Sequence, residues 1–194
     1  ALNNPGLTDA QNVMPVDGTF KKFCDLFPSG GTLNSTPVGA ISVFSTAGTQ
    51  YFAGLSGSTG GIYELDSGLW TAKSAAFDPT YVRFQRWDDL LIAVGDDTVP
   101  LCVTVGSLSA FATLATAGSA PVAQQVARVN DFLVLGDREA AEPYSIQWSA
   151  INDPRNFPTP GSATAVAAQA GEQLLNSSFG TVNAIVGGDQ YGLL

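Results

Sequence analysis

Histidine is absent from all 194 residues. That removes the side chain most often used as a general base near neutral pH and the usual nitrogen ligand of zinc. Cysteine is almost as scarce. Cys24 and Cys102 lie far apart, belong to no Cys-x-x-Cys motif and write no disulfide framework. They read as buried thiols, or as one buried and one incidental, with their pairing left open. Positive charge is also thin: 8 Lys and Arg face 17 Asp and Glu, a formal charge of -9. So few cations cannot form a patch that grips phosphates, although an acidic wall would let DNA slide past without holding it. No run of about 18 apolar residues occurs, so no membrane-spanning helix is predicted, and no signal peptide is visible. There is no Gly-x-Ser-x-Gly, no phosphate loop and no dinucleotide fingerprint. Helix formers are concentrated only in residues 163–175, where Thr164 and Gly171 weaken the signal.

Glycine and short apolar runs are what the chain has instead. Gly54, Gly95 and Gly136 recur at an even spacing, and each closes an apolar strand such as Leu91-Ile92-Ala93-Val94-Gly95. Each strand follows another strand and a tight turn, through Ala47-Gly48, Asp88-Asp89 and Asn130-Asp131. Asn, Asp and Gly suit such turns because they tolerate positive φ or cap the local backbone. The spacing matches the period of a four-stranded propeller blade, about 40 residues. The expected fold is therefore all-β, made of propeller blades of about 41 residues in four-stranded antiparallel sheets.

This reading divides the chain into an extended N-terminal arm, residues 1–38, and a propeller region, residues 39–194. Blades are expected over 39–77, 79–115 and 125–157, with the next one starting at 181–194. Residues 115–124 read as a linker between blades, Phe157 as an outer-strand position, and 158–175 as an insertion that contacts a partner. The expected buried positions are Val43, Phe52, Ile62, Val82, Phe84, Ile92, Val103, Leu133, Val134 and Ile146. A start at Ala1 and a stop at Leu194 in mid-strand predict a piece of a longer polypeptide, since three blades and a fragment cannot close a ring.

Candidate chemistry is sparse. The carboxylate pairs Asp88-Asp89 and Asp96-Asp97 could share a proton or bind a hard cation, but they stand at turns, where Asp is chosen for its backbone behaviour. Asp137, Glu139 and Glu142 gather around Arg138 in what reads as a solvated loop. The run Gly57-Ser58-Thr59-Gly60-Gly61 lacks the Lys and the following helix of a phosphate cradle. Trp70, Trp87, Trp148, Tyr63 and Tyr144 could stack on sugars or bases, yet their spread of one or two per blade suits packing between blades. Arg83, Arg86 and Arg128 are candidates for blade-to-blade ion pairs with nearby aspartates. No catalytic, cofactor-binding or metal-binding residue is assigned, no cofactor is expected, and the chain is not read as an enzyme.

Several runs carry a resemblance. Asn12-Val13-Met14-Pro15 with Gly18, the run from Arg83 through Trp87 to Ala93, and Val129-Asn130-Asp131-Phe132 resemble β-propeller proteins of bacteriophage tails. So does the run from Val186 to Leu194; the most specific piece is Gln147-Trp148-Ser149-Ala150-Ile151-Asn152-Asp153-Pro154. The family is the tail nozzle, or tail tubular protein B, of short-tailed phages and related tail-hub propellers. The resemblance implies a structural virion protein of the tail with no active site. It implies a homo-oligomeric ring, often a hexamer, beside the tail adaptor and other tail proteins, with DNA passing through unbound. The chain is much shorter than that family. The alternative is a carbohydrate-binding or glycan-cleaving propeller, an adhesin or lyase, which needs aromatics and carboxylates converging on one face.

Overall fold

A computed structural model describes residues 13–16, 19–22, 30–46, 48–57, 60–74, 79–96, 98–138 and 142–188. These are mostly strands, with one short helix, so the chain is all-β. Strands β1 (Val13–Val16) and β2 (Thr19–Lys22) pair as an antiparallel hairpin. Three four-stranded antiparallel sheets follow. The first holds β3 (Pro37–Ser45), β4 (Gly48–Leu55), β5 (Gly61–Asp66) and β6 (Leu69–Ala72) in sequence order. The second holds β7 (Val82–Trp87), β8 (Leu90–Gly95), β9 (Leu101–Thr104) and β10 (Ala112–Thr113), again in order.

The third sheet is built differently. Its first three strands are β12 (Ala123–Val129), β13 (Phe132–Arg138) and β14 (Glu142–Trp148), but the fourth is the distant β16 (Gly171–Leu174). Two elements intervene: β15 (Asn156–Phe157) and the helix α1 (Ala163–Ala167), capped by the Ser162 hydroxyl accepting from the Ala165 N–H. The outer strand therefore comes from the stretch expected to be an insertion, and Phe157 is not an outer-strand residue. Instead β15 pairs in parallel with β11 (Ala117–Gly118), inside the stretch expected to be a linker. Phe157 is 1% exposed and belongs to the core between the second and third sheets.

Tight turns set the registers. Trp87 pairs with Leu90 and Val129 with Phe132, so Asp88-Asp89 and Asn130-Asp131 are two-residue hairpin loops. Asp88 and Asn130 take left-handed φ values of 49° and 51°, which these side chains tolerate. In the first sheet Asp66 pairs with Leu69, which makes Ser67-Gly68 the two-residue loop between β5 and β6.

The hairpins also correct the repeat. Ser45, Trp87 and Val129 close equivalent first hairpins, so the structural step is one residue longer than the spacing of the glycines. On that step Gly54 and Gly136 face the following unit, whereas Gly95 pairs with Val82 on the opposite face of its sheet. A Cβ on Gly54 would stand 2.3 Å from Val82 Cγ2, and one on Gly136 would stand 2.7 Å from Ile185 Cδ1. The repeat is real, and its three most visible glycines are not all equivalent.

The sheets stack in a row, each back face on the forward face of the one before. Val43, Phe52 and Ile62 of the first sheet pack against Val82, Leu91, Ala93 and Val103 of the second. Trp87, Ile92, Val94 and Cys102 of the second pack against Val126, Leu133 and Leu135 of the third. Of the expected core, Phe84 and Ile146 are only half-buried; the other eight are buried. Residues 182–188 then begin to cover the third sheet. The Val182 N–H donates to the Pro143 carbonyl and the Asn130 N–H to that of Gly188. Val182 meets Gly136 much as Val82 meets Gly54. The hairpin expected to follow, from Asp189 to Leu194, lies outside the described residues. The three sheets form an open row; the described residues make no closed ring.

Candidate functional site

The polar side chains with the most structural consequence lie at the seams between sheets. Arg86 and Arg128 are one structural step apart, and each follows the same rule. Arg86 Nε donates to the Asp88 carbonyl of its own turn at 2.7 Å, and Arg128 Nε to the Asn130 carbonyl at 3.2 Å. The free end of each guanidinium then reaches back to the preceding sheet. Arg86 Nη1 donates to the Phe44 carbonyl at 2.9 Å, and Arg128 Nη1 to Asp88 Oδ1 at 2.8 Å. Arg128 also lies over the Trp87 ring, 4.4 Å from its centroid. A planar guanidinium suits this work because its donors point in fixed directions while its face stacks. Among the described residues, Arg128 is the one of the three candidate ion-pair arginines that pairs with an aspartate. Arg83 instead stands 5.6 Å from the Tyr81 ring centroid.

A second, buried network joins the first two sheets. Gln50 Nε2 donates to Glu64 Oε1 at 2.6 Å, and Lys73 Nζ lies 3.0 Å from Glu64 Oε2. Both charged side chains are almost fully buried. The network crosses to the β9–β10 loop, where the Gly106 N–H donates to Gln50 Oε1 at 2.6 Å and Lys73 Nζ donates to the Leu108 carbonyl at 3.1 Å. The Phe111 N–H donates to the Lys73 carbonyl at 2.6 Å, and the Phe111 ring stands edge-on to Phe52 with centroids 5.8 Å apart. Sequence reasoning did not single out this site. The available signal was Glu64, which shares the face of Ile62 in a strand whose other charge, Asp66, lies at the exposed end.

At the far end of the same sheets, Tyr81 Oη donates to Gln124 Oε1 and so links the second sheet to the third. Burial, then the charges of Asp137 and Asp96, push the Tyr81 phenol up to about 12, against a smaller opposing effect of Arg83. Burial also raises the Asp137 carboxyl.

The other carboxylate candidates resolve into local structural contacts. Asp96 accepts from the Thr80 N–H at 2.8 Å and the Thr80 hydroxyl at 2.6 Å, which pins the entry to β7. Asp97 lies outside the described residues. Asp89 is exposed in its turn. Arg138 pairs with Glu172 at 2.6 Å and Glu142 at 3.5 Å, tying β13 to β14 and β16; Glu139 is outside the described residues. Residues 58–59 of the glycine-rich run are outside them too. Among the described residues no cluster of three or more metal-binding side chains occurs.

The aromatics are dispersed. Trp87 is in the core beneath Arg128. Trp148 Nε1 donates to the Gln169 carbonyl at 2.8 Å. Trp70 lines a shallow depression on the first sheet with Ser42, Tyr51 and Leu65; Tyr63, one cross-strand row away on that face, and Tyr144 on the third sheet are half-buried. Cys102 is a buried free thiol, raised in pKa by that burial despite the opposing Arg155 charge. Cys24 lies outside the described residues. No helix among the described residues is long and apolar enough to cross a membrane. No protein-family model, no curated protein and no solved structure matches this chain.

Proposed function

We propose that this chain is a structural virion protein, a blade-built subunit of a phage tail nozzle or head–tail conduit through which DNA exits. The single observation that carries the reading is the use of its polar groups. The arginines and the Glu64–Lys73 pair are spent on holding one sheet to the next. Stacked sheets with such seams make a scaffold, and the three sheets are read as consecutive propeller blades. In this reading the physical task is assembly and not catalysis. Copies form a homo-oligomeric ring, often of six in the nozzle family, next to the tail adaptor and other tail proteins. The acidic chain lines a passage that DNA traverses without being gripped.

The test is location. An antibody raised against the chain and coupled to gold should mark purified tailed particles from the source organism at the tail below the capsid. Absence of label from tails, with the protein abundant in the same preparation outside particles, would refute the reading.

A carbohydrate-binding or glycan-cleaving propeller is the second reading. It draws on the depression where Tyr51 and Trp70 meet Ser42. Among the described residues that depression is lined by no carboxylate, so binding fits it better than cleavage does. A glycan screen in which Trp70→Ala abolishes a specific signal would favour this reading.

A further inference from the structure

Each seam holds a cation beside the outer strands, and the two cations are treated differently. In the first seam Lys73 meets a carboxylate of the chain itself, Glu64, 3.0 Å away. In the second seam the cation is Arg155, which enters from the turn ahead of β15. Its Nε donates to the Leu114 carbonyl at 3.1 Å. Among the described residues no carboxylate pairs with its guanidinium, and neither Nη group has a hydrogen-bond partner.

Arg155 is half-buried and lines a cavity of about 170 Å³. The forward face of the second sheet supplies another wall through Leu90, Cys102 and Thr104, and the β9–β10 loop supplies Ser107 and Ser109. None of the lining residues is a carboxylate. The volume is several times the roughly 30 Å³ share of one water molecule, so a guest of several heavy atoms fits. The polar groups suit a guest that only accepts. Ser107 Oγ donates to Ser109 Oγ at 2.8 Å and accepts from the Ser109 N–H at 3.0 Å, which leaves the Ser109 hydroxyl proton to be donated elsewhere. Thr104 adds an exposed position with a second hydroxyl. Cys102 adds no competing negative charge, because burial raises its thiol pKa and keeps it protonated near neutral pH. The end of a guanidinium presents parallel N–H donors that match the edge of a carboxylate or a phosphate. The chain has 17 acidic residues, yet those described leave this cation to the cavity.

We infer that this cavity is a binding site for a small oxyanion, a carboxylate or a phosphate, held by the Arg155 guanidinium and by the Ser109 and Thr104 hydroxyls. The guest supplies at the second seam the negative partner that Glu64 supplies at the first. The inference goes beyond the conduit reading and does not rest on it.

The test is a titration of the isotope-labelled full chain, followed by NMR near neutral pH at constant ionic strength. Sodium phosphate, sodium acetate and sodium chloride are the probes. At least one oxyanion should shift the Arg155 Nε–H signal and the amide signals of the β9–β10 loop saturably, and chloride should not. Saturation by phosphate alone assigns the phosphate class, by acetate alone the carboxylate class, and by both the shared oxyanion chemistry. Arg155→Gln should weaken the binding about 10-fold or more, since it deletes a charge-assisted pair. Ser109→Ala, at an exposed position, should weaken it about 5-fold and leave the melt unchanged. If Arg155→Gln loses its cooperative melt along with the bond to Leu114, Ser109→Ala and Thr104→Val decide. Binding that survives Arg155→Gln unchanged, or that neither hydroxyl variant weakens, overturns the inference. So does a chain in which neither oxyanion gives a saturable shift beyond that of chloride.

Discussion

The two seams of the stack solve one packing problem with different chemistry. Both carry an arginine that clasps its own turn and reaches back one sheet. Between the first and second sheets the rest of the seam is partly polar, with Gln50, Glu64 and Lys73 buried beside Phe52 and Phe111. Between the second and third it is mainly apolar: Trp87, Leu114, Leu133, Leu135 and Phe157 fill it, the Tyr81–Gln124 hydrogen bond spans one end, and the short parallel pairing of β11 with β15 braces one side. An apolar seam gains from burial and tolerates small shifts in register. A buried ion pair adds little net stability, but its partners must meet or the cost is high. The first seam is thus the better specified and the second the better stabilised.

The apolar seam should break first under truncation. Phe157→Ala deletes a side chain buried to 1% exposure, and such changes cost about 3–5 kcal/mol. Denaturant unfolding should show the loss, and Phe157→Leu should recover most of it. If Phe157→Ala costs no more than a surface substitution, the second seam does not depend on its apolar core.

The polar seam should show its character in a pair of variants. Lys73→Ala strands Glu64, and breaking a nearly buried pair in this way costs about 3–5 kcal/mol. Lys73→Met combined with Glu64→Leu should recover much of that loss, because no charge is then left buried alone. A double variant as unstable as Lys73→Ala would show that the hydrogen bonds to Leu108 and Gln50 matter more than the charge balance.

The two arginines allow a finer comparison. Arg128→Met removes a stacking contact and an exposed ion pair, for a combined cost of about 1 kcal/mol. Arg86→Met removes hydrogen bonds to two carbonyls but no ring contact, so its cost should be smaller and nearly insensitive to salt. Equal costs at low and high salt for both variants would mean that the Trp87 stacking and the Asp88 charge contribute nothing measurable.

How far the sequence revealed this arrangement depended on whether a feature was local. The Asp88-Asp89 and Asn130-Asp131 turns were legible because turn chemistry is decided within a few residues. The glycine spacing pointed to a repeating unit, although Gly95 faces the other way from Gly54 and Gly136. A one-residue change of register reverses every side chain in a strand, and spacing alone cannot detect it. The outer strand of the third sheet was not legible. Gly171–Leu174 is short and mostly exposed, has no alternating pattern of its own, and is held by pairing with β14. In the sequence Phe157 looks peripheral because it lies at the edge of the period, yet it is pinned inward by pairing with Gly118, on a strand far earlier in the chain. The seam network was hidden for a similar reason: Gln50, Glu64 and Lys73 meet the second sheet only after both sheets exist.

The least costly probe of the contrast between the seams is pH, because Tyr81 tests the second seam without altering its apolar core. The Tyr81 phenol sits at about 12 in the folded chain, against the ordinary 10.0. The folded state therefore holds this proton more tightly than the unfolded state does. The associated stability is fully present below pH 10 and is lost as pH rises towards 12, where the unfolded chain has already released the proton. Tyr81→Phe should flatten that alkaline decline and, near neutral pH, cost only its hydrogen bond to Gln124, about 1 kcal/mol. Ultraviolet difference titration should resolve a phenol that ionises late, towards pH 12, and that is absent from Tyr81→Phe. If no phenol ionises late, the burial of Tyr81 beside Asp137 and Asp96 at this seam does not persist in solution.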